Sequence, residues 1–372
     1  APFEEATGID VRYVGAGSFA LDIQDRVAEG DFPDVAMFPQ PAIMRDLAAR
    51  GVLTRLDDAL VEQLDLDRPG VQIGAVGGDL YGVWFRAAAK SLVWFRPDVF
   101  AAAGYEVPST WDEMMALGDE MKIDGVAPWC LGMESFGATG WVGTDWIEDI
   151  VLREQGAVLY DDWVSGDVLF SSSEIRGAFS TFSSIIHSQG SVLGGTNRIL
   201  NESWQRAADP MFEDSPRCMM QKQASFWASQ APPSSTFGET LDFFVLPGLT
   251  QAPPPIEVSG DVAAAFNDRP EVVAFMAFLA SPEAGVGWAR LGGFTSPNPD
   301  FDSGAYVSEL DRRVGEVIAA ASVVRFDGSD LMPPVVGTGA FWRGIRAFVR
   351  SGDVVSTVTT IDDAWPRPEL RD

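Results

Sequence analysis

Short apolar runs bounded by turn residues alternate with amphipathic segments along most of this chain. That alternation narrows the fold more than any single motif does. The run "PDVAMFPQP" (33–41) reads as a strand closed by Pro39-Gln40-Pro41, and a helical segment over Ala42–Arg50 stops at Gly51, a C-terminal cap signal. Two more strands are predicted in "LYGVWFRAAAKSLVWF" (80–95). A turn at Val107-Pro108-Ser109 then leads to Thr110, an N-cap whose capping box Glu113 completes. Further along, the pattern predicts a helix from near Asp145, helix over 170–190, a strand at Cys218–Gln221 and another in "LDFFVLPGL" (241–249). The proline-rich "QAPPPIEVSG" (251–260) reads as a connection, and Pro270–Leu291 as helix. Strands and helices that alternate through short connections predict the α/β class. With 372 residues the chain exceeds one ordinary core, so two domains are expected.

The opening stretch "DVRYVGAGSFALDI" (10–23) reads as a strand, a glycine turn and a helix start, and Gly15 to Ala20 satisfies a dinucleotide-binding spacing. Two features argue against a nucleotide. Arg12 sits mid-strand, and the next strand ends in Pro-Gln, with no acid for the ribose. The net charge of −28 points the same way, because nucleic-acid binding needs a basic footprint. A neutral ligand is the easiest to reconcile with such a field.

Acyl-transfer chemistry has no visible nucleophile: there is no G-x-S-x-G elbow, and the single histidine, His187, ends a predicted helix without a motif around it. Glu134, Asp145, Asp261, Asp327 and Asp330 could supply a glycosidase carboxylate pair, but 54 acidic residues make such pairs cheap. Neither "DLDRPG" (65–70) nor "FDGSD" (326–330) carries EF-hand spacing, and neither a metal nor a cofactor is expected. Cys130 and Cys218 are two buried thiols or one disulfide; the residues alone leave both open. The more informative pattern is tryptophan beside carboxylate and amide in loops after strands: "TGWVGTDW", "KQASFWAS" and "VRFDGSD". Aromatic faces with two-handed polar side chains suit a pyranose, although each indole could equally fill a core.

Taken together, "FEEATGIDVRYVG", "PDVAMFPQP", "YGVWFRAAAKSLVWFRPDVFAAAGYEVPSTWDEM", "GWVGTDWIEDIVLR", "KQASF" and "RFDGSDLMPPVVGTGAFWRG" resemble the extracellular solute-binding proteins of carbohydrate ABC importers, nearest their α-glucoside-binding branch. The likeness runs from Phe3 to about Trp365. It implies a type II periplasmic-binding-protein-like fold of two α/β lobes, with a sugar in the cleft between them and hinge closure over it. Lobe one would hold residues 1–106 and 262–318, and lobe two 107–261 and 319–372, with crossings near Glu106–Thr110, Gly260 and Ala320. Carried over position by position, the ligand set would be Gln40, Arg86, Trp141, Asp145, Trp227, Asp261, Arg325, Asp327 and Asp330. In an exported protein the likeness makes a Cys130–Cys218 disulfide the preferred reading. It also implies an extracytoplasmic monomer, with a sugar and ABC permease subunits as partners and no nucleic acid. The expected alternatives are a glycoside-active enzyme or a polyamine- or peptide-binding relative. The family normally opens with a strand that is missing here, so residues upstream of Ala1 are expected to have been lost.

Overall fold

The computed structural model describes residues 2–16, 19–62, 64, 69–250 and 252–366. Gly17 and Ser18 of the glycine turn, and residues 65–68 of "DLDRPG", lie outside the described residues. The chain divides into two compact units. Residues 1–88 and 259–317 form the first, and 89–258 and 318–372 the second, so the chain passes between them three times.

In the first unit the strand Val35–Phe38 runs antiparallel to the end of the strand Ile256–Ala265, with Val35 opposite Ala265 and Phe38 opposite Val262. Gly82–Ala89 pairs with the same long strand. Pro41 opens the helix Pro41–Ala49, where its missing N–H costs nothing. That helix buries Ile43, Met44 and Leu47. Leu56, Leu60, Val83, Ala263, Val272 and Met276 are part of the core between the sheet and the helix Pro270–Ala280.

In the second unit the strand order is Ala127–Trp129, Cys218–Lys222, Leu92–Phe95, Asp242–Val245. Every residue of Leu92–Phe95 and of Cys218–Lys222 is buried. This explains why "LVWF" is apolar throughout instead of alternating: neither face of that strand meets water. Around this sheet pack the helices Trp111–Ile123, Trp141–Ser165, Ser173–Ile186 and Trp342–Ser351, with Trp146, Trp163, Phe179, Phe182, Phe341 and Phe348 among the core side chains. The predicted capping box is present, with the Glu113 N–H donating to Thr110 Oγ1 at 3.2 Å. The disulfide Cys130–Cys218 forms as preferred, next to the parallel pair that sets Ala127 against Cys218.

Four expectations differ from the structure. Asp10–Val14 form no strand: the Val11 N–H donates to Glu4 Oε1 at 2.9 Å, and Tyr13 is 84% exposed, so no sheet face covers the apolar alternation. The proline-rich connection ends at Pro255, since Ile256 already pairs with Val324 in a parallel ladder. The helix expected over Pro270–Leu291 is interrupted at Ser281-Pro282, giving Pro270–Ala280 and Val286–Ala289. Residues 89–106, expected with the first lobe, fall in the second unit, because Leu92–Phe95 is a middle strand of its sheet.

Candidate functional site

In the second unit the helix Trp141–Ser165 starts abruptly at Gly140, whose φ of +125° is closed to ordinary side chains. A Cβ there would lie 2.4 Å from the carbonyl oxygen of Trp342, so this glycine lets the helix start lie against the 342 backbone. The next residue, Trp141, is half-buried. Its ring meets Trp204 at 5.3 Å and Phe226 at 6.0 Å between centroids, and those two meet each other nearly edge-on at 5.7 Å. All three rings retain partial exposure, which a pure core cluster would not.

Against Trp141 lies a charged cluster shut away from water. The Lys90 ammonium is 5.1 Å from the centre of the Trp141 ring, 2.9 Å from Asp145 Oδ1 and also paired with Asp327. Lys222 pairs with Asp149 at 2.8 Å, and Arg153 bonds the same carboxylate. Lys222 links the two groups by donating to the Asp145 carbonyl at 3.0 Å, and the Ser91 hydroxyl donates to Asp149 Oδ1 at 2.6 Å while accepting the Glu257 N–H at 2.8 Å. Glu148 accepts the backbone N–H groups of Gly328 and Ser329 at 2.6 and 3.2 Å. Glu257 is wholly buried, and neither of its carboxyl oxygens has a hydrogen-bond partner among the described residues.

Burial and charge decide the protonation. Burial pushes Asp145 up to about 6, against the pull of Lys90. Burial, followed by the neighbouring acids, drives Glu148 and Glu257 well above the usual glutamate value. Burial opposes ionisation of Asp149 and Asp327 too, but Arg153 and Lys222 outweigh it at the first, and Lys90 at the second, holding both below the usual value. The three bases Lys90, Lys222 and Arg153 thus sit among the carboxylates of Asp145, Asp149 and Asp327, with the buried Asp330 close enough to act on Lys90. Asp145, Glu257 and Asp327 also bring one carboxylate oxygen each within 4.8 Å of one another, a spacing a divalent cation could use. The residues do not fit a metal, because the Lys90 ammonium is already bonded to two of the three.

The first unit holds a smaller polar group of its own. Arg86 Nε lies 2.8 Å from Asp261 Oδ2, and its guanidinium is 5.2 Å from the centre of the Trp288 ring. Both charged side chains are about a fifth exposed, and burial raises the Asp261 carboxyl. Gly260, with φ +153°, makes this possible: a Cβ there would come within 1.7 Å of the Arg86 carbonyl oxygen.

The expected site residues thus separate into distinct environments. Trp141, Asp145 and Asp327 are gathered around Lys90, and Arg86 and Asp261 around one another. Gln40 is half-buried at the N-cap of Pro41–Ala49 and makes no side-chain capping bond. Asp145, Asp327 and Asp330 are 3%, 1% and 6% exposed, so they support a surface rather than form one. Arg325 is committed elsewhere, to a two-pronged pair with Asp161 at 2.6 and 2.8 Å. The indole of Trp227 is also not presented: it is 1% exposed, lies tilted against Trp94 with ring centroids 5.5 Å apart and donates to the Gln205 carbonyl at 3.3 Å. Its place among the exposed rings is taken by Trp204 and Phe226. Sequence reasoning missed Lys90, Glu257 and Trp204. A signal existed for the first, a lone lysine between the apolar runs 87–89 and 92–95.

Residues 1–286 match the model of the bacterial extracellular solute-binding protein family. An osmoprotective compounds-binding protein of Synechocystis sp., GgtB, is 43% identical over 99% of this chain and 88% of its own length. The α-glucosides-binding periplasmic protein AglE of Rhizobium meliloti is 35% identical over 98% of this chain and 82% of its own. Among solved structures, a chitin oligosaccharide binding protein aligns over 97% of this chain and 91% of its own, with a TM-score of 0.79 at 17% identity. A maltose-bound MalE3 of T. maritima does so over 97% and 93%, with a TM-score of 0.70 at 18% identity.

Proposed function

We infer the function from one premise: the chain belongs to the bacterial extracellular solute-binding proteins. It is a binding protein and not an enzyme, and it serves sugar uptake with an ABC importer outside the cytoplasm. Its fold is the type II periplasmic-binding-protein fold. We propose that its ligand is a small neutral α-glucoside, held by a monomer. Trehalose and sucrose are α-glucosides that also act as compatible solutes, so they satisfy the names of both relatives.

The observation that carries this reading is the group of three partly exposed rings, Trp141, Trp204 and Phe226, set beside a buried cluster in which the Lys90 ammonium is paired with Asp145 and Asp327. Such a surface offers an apolar face whose nearest charged groups are already paired with one another, which matches the C–H face of a pyranose. In the first unit, Arg86 and Asp261 supply a donor and an acceptor of the kind that sugar hydroxyls use. Maltose, trehalose, sucrose and isomaltose should be screened by thermal shift. At least one should raise the unfolding temperature, and W141A should weaken that ligand about tenfold, the worth of one aromatic stack. If none of the four shifts the transition, the reading fails.

A further inference from the structure

We propose that Lys90 is the specificity-determining residue of the ring platform in the second unit, keeping it for uncharged ligands by acting as a built-in cation. The proposal rests on the saccharide reading above and adds to it what the site must refuse. Three rings in mutual contact, on a protein of net charge −28, resemble an aromatic cage for a quaternary ammonium. Long-range attraction would draw such cations towards the protein. Something at the platform therefore has to discriminate against them.

Lys90 is placed to do so. Its ammonium lies 5.1 Å from the Trp141 ring centre, so the attraction that this π-system could offer an incoming cation is already partly satisfied from within. The same ammonium is paired to Asp145 and Asp327, cancelling the acids that would otherwise stabilise a bound cation. The chain has 26 basic side chains, of which only Lys90, Lys122 and Lys222 are lysines, and two of those three lie in this buried cluster. The rest of the cluster surrounds the pair without replacing it. Lys222 and Arg153 are taken up by Asp149, Glu148 is held by two backbone N–H groups, Glu257 contributes a carboxyl without donors, and Asp330 adds an acidic charge that acts on Lys90. Removing Lys90 frees the ring and makes the cluster one charge more negative, and both changes favour a cation.

The test titrates choline chloride and the four sugars into the wild type, K90M, K90R and the double variant K90M/D327N, which keeps the cluster's charge balance if K90M alone does not fold. Calorimetry in moderate salt is the readout, with sodium chloride as the control for general screening. The wild type should bind a sugar and show no choline heat up to tens of millimolar. K90M and the double variant should gain choline binding at least tenfold tighter than the wild type's limit while losing sugar affinity, and K90R should keep the wild-type preference. Choline binding by the wild type overturns the proposal, as does a folded K90M or double variant that still refuses choline. A wild type that binds a sugar and choline together overturns only the role of Lys90. If it binds neither, the saccharide reading and this proposal both fall.

Discussion

At the level of single residues, Glu257 is the group most at odds with an ordinary protein interior. Its carboxyl is completely buried, has no hydrogen-bond donor among the described residues and stays protonated far above the usual range, first because of burial and then because Asp149 and Glu148 are near. In the unfolded chain the same group releases its proton near the normal glutamate value. The folded state therefore binds more protons through the pH range above that value, and stability falls as pH rises towards the folded pKa. E257Q has the same shape and cannot ionise. Its stability relative to the wild type should therefore increase between pH 5 and pH 8, as read from unfolding temperatures at the two values. A relative loss at pH 8 would mean that Glu257 is ionised and paired. Trp227 carries the opposite lesson. Its neighbours in sequence advertised an exposed stack, yet the indole next door, Phe226's partner Trp204, occupies that place, because which ring faces water is settled by a contact with Trp94 that the sequence does not encode locally.

Among the elements, those with a strong local signal were legible and those defined by distant partners were not. The capping box at Thr110, the stop at Gly51 and the strand Cys218–Lys222 follow from a few adjacent residues. The extension of Ile256–Ala265 back to Ile256 depends on pairing with Val324–Phe326, and the absence of a strand at Asp10–Val14 depends on what fails to cover it. The candidate site was legible in part. Trp141, Asp145 and Asp327 converge on one point, but the residue they converge on, Lys90, carries no motif. The disulfide belongs to this scale as well, since it ties the strand Cys218–Lys222 to the end of Ala127–Trp129 across a sequence separation of 88. In the chain-entropy account, closing a loop of that length is worth about 4.5 kcal/mol. Replacing both cysteines by serine should lower the unfolding temperature by several degrees, with sugar binding retained at room temperature. An unchanged transition would show that the unfolded chain is already constrained there.

For the molecule as a whole, the net charge of −28 is the dominant electrostatic fact. Like charges spread over one chain repel in the compact state, and salt relieves that repulsion as the screening length shrinks from about 30 Å at 0.01 M to about 8 Å at 0.15 M. The unfolding temperature should therefore rise across that range of sodium chloride, most steeply at its low end. A fall would show that the cluster around Lys90 and other ion pairs outweigh the overall field. The pairing of Val35–Phe38 with Val262–Ala265 also imposes a timetable on the polypeptide. The earlier strand leaves the ribosome long before its neighbour exists, while the intervening stretch 89–258 already contains all four strands of the other sheet. Closure of so distant a contact is slow, so the first unit stays unfinished until late in synthesis. For a polypeptide bound for the far side of a membrane, that lateness keeps the leading segment threadable through a secretion channel.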